Sequence, residues 1–157
     1  RQGQVFLMSP GAPVPSWAAE VVWTPISGSP SLDEITQRYK DLAWIITHGP
    51  GVEHGSSDTH WMRTAARDYL PPISLLAVLH KKPFAWVIDV VLRHSQVEIQ
   101  DIVDKLIGLS ANPDAAIAAS RLEGLLKTPE RQRAGYYSYG AELIEPLVIP
   151  EVLNANG

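Results

Sequence analysis

The chain has 157 residues, of which 45% are hydrophobic and 19% charged, so a globular domain with its own core is expected and a wholly disordered chain is excluded. It contains no cysteine, which excludes disulfides, thiolate nucleophiles and thiolate metal sites. Its 13 basic and 17 acidic residues give a net charge of −4, which is the wrong sign for a free-standing binder of duplex DNA. No apolar run approaches the roughly 20 residues that a membrane-spanning helix requires.

Two short β-type runs lie near the N-terminus. Residues 4–8 and 20–23 are rich in β-branched and aromatic side chains and are bounded by Pro and Gly, which predicts strand, turn and strand. Two strands alone are marginal in water, and no further convincing strand follows. We therefore expect residues 1–26 to be a strand segment left from a larger α/β protein and residues 27–157 to form a helical domain. Arg1, in place of an initiator Met, agrees with this expectation.

A long helical region begins near residue 30. Two start signals compete there: Ser29 as N-cap with Pro30 at the first helical position, or a capping box made by Ser31 and Glu34. Apolar residues at spacings of three and four then predict one inward face of this helix. They are Leu32, Ile35, Tyr39, Leu42 and Ile46.

A polar, Gly-rich loop over residues 48–60 precedes the second helix. An apolar stripe over residues 61–80 predicts one long element. Pro71 and Pro72 lie within this stripe, and each removes a backbone donor and clashes with the preceding turn. We therefore expect a kink or a break at the proline pair, with two shorter helices as the alternative.

Further helices are predicted in the second half of the chain. Residues 84–92 have helical spacing but a strand-like composition, and their helical neighbours favour a helix. Ser95 and Glu98 form another capping box, while Asn112 and Thr128 each precede a proline, which is a start signal for a helix. The predicted fold class is therefore mainly α, a bundle of about five to seven helices with a short N-terminal β segment.

The residues that could carry catalysis give a weak signal. His48, His54 and His60 recur at six-residue intervals in the polar loop, with Glu53 and Asp58 between them, and such ligands could hold a zinc ion. Their spacing matches no common metal motif, so a solvated polar loop is the preferred interpretation. The chain also lacks Walker motifs and a G-x-S-x-G elbow. We therefore predict no catalytic, cofactor-binding or metal site.

Basic side chains are the candidate contacts with DNA or a protein partner. They are Arg63 and Arg67, one helical turn apart, and Lys127, Arg131 and Arg133, at the junction of the last two helices. Either group could contact phosphates or an acidic partner, and solvated surface charge is the plainer alternative. Tryptophans within apolar patterns are expected to anchor the core rather than to stack on bases. They are Trp23, Trp44, Trp61 and Trp86.

Several short segments stand in a distinctive order. Residues 5–11 resemble a strand that leads into a Gly-rich stretch, with Ser9 at a position where Asp is usual. Residues 22–26 resemble the Trp-Asn/Ser-Pro-Leu segment at which the chain leaves a nucleotide-binding sheet. Residues 60–66 resemble an aromatic-Trp-x-x-Ala-Ala helix, and residues 143–152 a Leu- and Pro-rich return to the sheet. In this order they resemble the all-alpha domain of the type IV secretion coupling proteins, the TraG/TraD-like DNA-translocating ATPases, especially their actinobacterial branch.

The resemblance implies a function as well as a fold. The parent protein would be a hexameric ATPase anchored in the inner membrane, with this domain, soluble and monomeric by itself, on the cytoplasmic face. Residues 27–157 would recognise the cargo of conjugative DNA transfer, namely a relaxase, a relaxosome adaptor, or single- or double-stranded DNA, without catalysis or a cofactor. The alternatives are an unrelated helical protein–protein interaction module and a metal-dependent enzyme built on His48, His54 and His60.

Overall fold

The structure, a computed structural model, describes residues 24–48 and 56–147, with the side chains of all but residues 56–59 among them. The helices are α1 (Leu32–His48), α2 (Ser56–Thr64), α3 (Leu70–Leu79), α4 (Phe84–Arg93), α5 (Gln96–Gly108), α6 (Pro113–Leu126) and α7 (Glu130–Ile144). A π-helical turn, Ala65–Tyr69, joins α2 to α3, and a 3-10 turn, Glu145–Leu147, follows α7. The mainly α class is confirmed, while both predicted strands lie outside the described residues.

Capping boxes set two of the helix starts. At α1 the Glu34 amide donates to Ser31 Oγ at 3.2 Å, and the Ser31 amide donates to Glu34 Oε1 at 3.1 Å. The alternative start with Ser29 as N-cap is wrong, because Ser29 has a left-handed φ of 52° and lies before the first helical turn. At α5, Ser95 Oγ accepts from the Glu98 amide at 3.3 Å, as predicted.

The last two helices begin differently from each other. Asn112 caps α6, because its side-chain oxygen accepts from the Asp114 amide at 2.9 Å, which confirms the predicted start. The same prediction for Thr128 at α7 is wrong. Its hydroxyl donates instead to the Leu125 carbonyl at 2.6 Å, so this residue closes α6, and α7 begins at Glu130.

Pro71 and Pro72 do not break the second predicted helix. The backbone stays helical from α2 to α3, and in the π turn the Leu70 amide donates to the Ala65 carbonyl, five residues back. Both prolines therefore fall in the first turn of α3, where a missing amide donor costs little. A wider, π-helical turn precedes them, so α2, the π turn and α3 form one continuous helical segment, residues 56–79, which we call the central rod.

This rod is the centre of the fold and contacts every other helix of the described residues. Residues 70–77 of α3 are all buried, as expected for a helix that is apolar all round. The Tyr39 hydroxyl of α1 reaches Ser74 Oγ of α3 at 2.7 Å, so the buried polar atoms of this contact satisfy each other. Burial raises the pKa of Tyr39 and of Tyr69 well above the ordinary tyrosine value.

Two glycines of α7 admit aromatic rings from the rod. A Cβ atom at Gly135 would lie 2.8 Å from ring atoms of Trp61, and one at Gly140 would lie 2.5 Å from the ring of Tyr69. Real Cβ atoms do not approach other atoms this closely. The two positions therefore require glycine for close packing of α7 against the rod.

The turn before α1 packs against the helices. Ile26 is buried in the hydrophobic core, and Thr24 is buried beside it. Arg38 of α1 fixes this turn, because its Nη1 donates to the carbonyls of Pro25 at 3.1 Å and Ser27 at 2.9 Å. Residues 24–26 are thus buried against the helical body. Within the described ranges, no helix is long and apolar enough to cross a membrane.

Candidate functional site

The groove between the C-terminal half of α1 and the end of α2 is the candidate binding site, and we refer to it as the α1–α2 groove. Its volume is about 280 Å³. The floor consists of Ala43, Met62 and Ala66, all of them buried. Two of these are alanines, so the two helices leave open space between the larger residues on the rims. The floor is therefore apolar.

One rim of the groove is a stripe on α1. Lys40, Trp44 and His48 recur at intervals of four residues, which places them above one another on the helix surface. The Trp44 side chain is 62% exposed, so the expectation that it anchors the core is wrong. The inward face of α1 passes through Tyr39 and Leu42, and position 44 falls outside it.

Local hydrogen bonds hold His48 against Trp44. The two rings stack, with centroids 4.6 Å apart and an interplanar angle of 12°. The His48 Nδ1 atom lies 3.0 Å from the Trp44 carbonyl oxygen, which can only accept, so Nδ1 carries the proton in this contact. Thr47 Oγ1 lies 2.9 Å from the same nitrogen.

The other rim is formed by Arg63 on α2. Its side chain is exposed and, like that of Lys40, forms an ion pair with no carboxylate of the described residues. On α1 the Asp41 carboxylate accepts from the Gln37 amide at 2.9 Å. No acidic residue lines the groove in the described part of the chain. A positively charged lining is unexpected in a protein of net charge −4 and favours an anionic ligand.

Arg67, the second predicted contact on this element, is engaged locally. Its guanidinium donates two hydrogen bonds of 2.9 Å to the carboxylate of Asp68, and this pairing raises the pKa of Arg67. The side chain is therefore held beside its neighbour and does not line the groove. Of the five predicted contact residues, Arg63 alone belongs to the groove.

The three remaining predicted contacts lie at the junction of α6 and α7. Arg133 donates from Nη1 to the carbonyl of Leu126 at 3.1 Å and to that of Thr128, which satisfies the C-terminal end of α6. Lys127 lies 3.9 Å from the Glu123 carboxylate, at the limit of an ion pair, and Arg131 is exposed. The position of Arg133 is thus explained by helix capping.

Two of the three histidines suggested as zinc ligands lie on different helices. His48 ends α1 and His60 lies in α2, where its ring meets that of Trp61 edge to face at 6.2 Å. His54 lies outside the described residues. Among the side chains that the structure describes, no three His, Cys, Asp or Glu residues are grouped as metal ligands.

Sequence reasoning missed Lys40 and Trp44, although a signal for them was present. The inward face of α1 takes its residues from positions 32, 35, 39 and 42, so a second stripe at positions 40, 44 and 48 had to face elsewhere. An aromatic residue on an outward-facing stripe, such as Trp44, is typical of a contact surface. Comparison of the chain with protein-family models, with curated proteins and with solved structures gave no match.

Proposed function

We propose that this chain is the cargo-recognition domain of a type IV secretion coupling protein in conjugative DNA transfer, and that the α1–α2 groove contributes to cargo binding. The cargo would be a relaxase, a relaxosome adaptor or DNA. In this proposal the domain binds without catalysis of its own, and the ATPase machinery belongs to a parent protein that is hexameric and anchored in the inner membrane.

The observation that carries a binding role is the unpaired positive charge of the groove. Lys40 and Arg63 stand on opposite rims, and within the described residues neither is neutralised by a carboxylate. Structural arginines elsewhere in this protein are paired or hydrogen-bonded, as Arg67, Arg93 and Arg133 are. Cations without such a structural role, placed around an apolar floor, are available to a ligand.

The sequence resemblance connects this groove to a coupling protein. Residues 60–66, which resemble the aromatic-Trp-x-x-Ala-Ala helix of that family, form the second half of α2 and the start of the π turn. They contribute Met62 and Ala66 to the floor of the groove and Arg63 to its rim. The segment that supports the family proposal is thus also one wall of the candidate site.

A capture experiment tests the proposal. The purified 157-residue chain is immobilised and exposed to relaxase, to adaptor, and to single- and double-stranded DNA from a conjugative element. We expect the wild-type chain to retain at least one of these, and the variant Lys40→Glu/Arg63→Glu to retain much less of it.

Two matched double charge reversals make the result specific. Lys81→Glu/Lys105→Glu changes the net charge equally outside the groove, and it should retain the cargo. Lys127→Glu/Arg131→Glu tests the other predicted basic cluster. Retention of none of the three classes of cargo by the folded wild-type chain would overturn the proposal, and binding of an unrelated peptide instead would favour a general helical interaction module.

A further inference from the structure

The size of the α1–α2 groove suits a single anchoring side chain. Its volume of about 280 Å³ lies just below the roughly 300–1,000 Å³ of typical small-molecule pockets. Met62 in the floor is an unbranched, polarisable side chain that adapts to different apolar partners. Ala43 and Ala66 keep the rest of the floor low. An apolar or aromatic side chain can therefore be buried there.

The charges around the floor suit carboxylates on both sides of such an anchor. Lys40 lies on the α1 rim and Arg63 on the α2 rim, so an extended chain that crosses the groove meets a cation before and after its central residue. A guanidinium matches a carboxylate with two parallel hydrogen bonds. In the described part of the chain, the groove lining offers no acid that would repel a carboxylate.

A long nucleic-acid strand fits the same groove less well. Proteins that bind single strands combine a basic channel that follows the backbone with several aromatic rings for successive bases. Trp44 is the one tryptophan, tyrosine or phenylalanine in the described lining, and His48 already covers part of it by stacking. The net charge of −4 also opposes a long polyanion more than a short acidic peptide.

We infer that the α1–α2 groove binds a short acidic peptide motif in which one apolar or aromatic side chain is flanked by carboxylates. The inference rests on the proposed function, because it names the chemical class of partner that the same groove recognises. In this arrangement the central side chain packs against Met62 and Trp44, and the flanking carboxylates pair with Lys40 and Arg63. A protein cargo would then be recognised through an exposed acidic segment.

Fluorescence anisotropy with defined probes tests the inference. The probe is a fluorescein-labelled nonapeptide, Asp-Glu-Asp-Ser-Phe-Ser-Glu-Asp-Asp, titrated with the 157-residue chain at low and high salt. Three comparison probes replace the Phe by Ala, replace all acidic residues by Lys, or consist of a single strand of fifteen thymidines. We expect the acidic Phe peptide to bind, the Phe-to-Ala peptide to bind roughly fivefold more weakly, and the Lys peptide not to bind.

Protein variants locate the binding. Lys40→Glu/Arg63→Glu and, separately, Trp44→Ala should each weaken the acidic peptide by about tenfold, and higher salt should weaken it further. Lys81→Glu/Lys105→Glu, with the same charge change outside the groove, should leave its Kd within about twofold. Circular dichroism and thermal unfolding should show that every variant retains the helical fold, since all five substituted side chains are exposed.

The outcomes separate this inference from the proposed function. Any of three results would overturn the inference: the acidic peptide does not bind, its Kd is the same for the groove variants as for the wild-type chain, or the thymidine strand binds more tightly than the peptide. If the chain still captures a cargo through Lys40 and Arg63, the proposed function stands while the inferred ligand class fails. If the peptide binds as expected but no conjugative cargo is captured, the ligand class is supported and the proposed function fails.

Discussion

Replacement of Gly140 by alanine tests the packing of α7 against the central rod. In an open helix interior this change stabilises by roughly 1 kcal/mol, because alanine has the higher helix propensity. At position 140, however, the new Cβ would lie 2.5 and 2.6 Å from two ring atoms of Tyr69. Tyr69 is fully buried and cannot yield, and overpacking of this kind costs roughly 1–3 kcal/mol. Taking the upper end for so short a contact, we expect a net loss of about 2 kcal/mol.

Urea unfolding followed by circular dichroism measures this loss, with Gly124→Ala as the matched control. Gly124 lies inside α6, and nothing approaches the site of its missing Cβ within 4 Å, so this variant should gain up to about 1 kcal/mol. Gly135→Ala should fall between them, because Trp61, which it would contact, is only partly buried. If Gly140→Ala proved as stable as Gly124→Ala, the close approach of α7 to the rod would be wrong.

Three further measurements address polar groups of the core and of the helix ends. Tyr39→Phe should lower the free energy of unfolding by about 1–2 kcal/mol, because it leaves the buried Ser74 hydroxyl without its partner. The double variant Tyr39→Phe/Ser74→Ala should recover much of that loss, and full additivity of the two changes would argue against the bond. Burial raises the pKa of Tyr39 and Tyr69 in the folded state, so their contribution to stability is complete below the ordinary tyrosine pKa and declines as the pH rises above about 10. The urea concentration at the unfolding midpoint should therefore fall between pH 9 and pH 11. The fall should be smaller in Tyr39→Phe, which has one buried tyrosine fewer. Arg133→Ala should cost about 1–2 kcal/mol through the lost bonds to the Leu126 and Thr128 carbonyls, whereas the exposed neighbour Arg131→Ala should change stability by less than about 0.5 kcal/mol. Equal effects would contradict the capping role.

The helices were predictable where a local signal determines them. Ser31 with Glu34, and Asn112 ahead of a proline, fix their helix starts through bonds within three residues, and such bonds are visible in the sequence. The π turn was not predictable, because the usual rule treats two prolines as a break and does not say how the preceding turn will widen. The role of Gly140 was not predictable either. Glycine has a low helix propensity, which marks it as destabilising, whereas the close packing of the Tyr69 ring requires glycine at this position.

The candidate site was predictable only in part. Arg63 stood out because it belongs to a charged pair on a helix, but the same reasoning selected Arg133, whose partners are backbone carbonyls at the end of α6. A basic side chain in a sequence does not show whether its charge is engaged by the fold or left for a ligand. The apolar pattern around Trp44 predicts a core position, but Ala43 is the buried residue there and Trp44, one position further along α1, is exposed.

On α2, the residue that packs against α7 differs from the residue that is available to a ligand. Trp61 faces α7, where its ring meets Gly135 and Tyr136, while the fully buried Ala65 and Ala66 let other helices approach the rod. The His-Trp-x-x-x-Ala-Ala segment of residues 60–66 is therefore a packing signature, and a protein could share it without sharing the cargo. Arg63 has no packing role of this kind, because its side chain is exposed and unpaired within the described residues. The identity of the ligand must accordingly be sought at Arg63 and its neighbours across the groove.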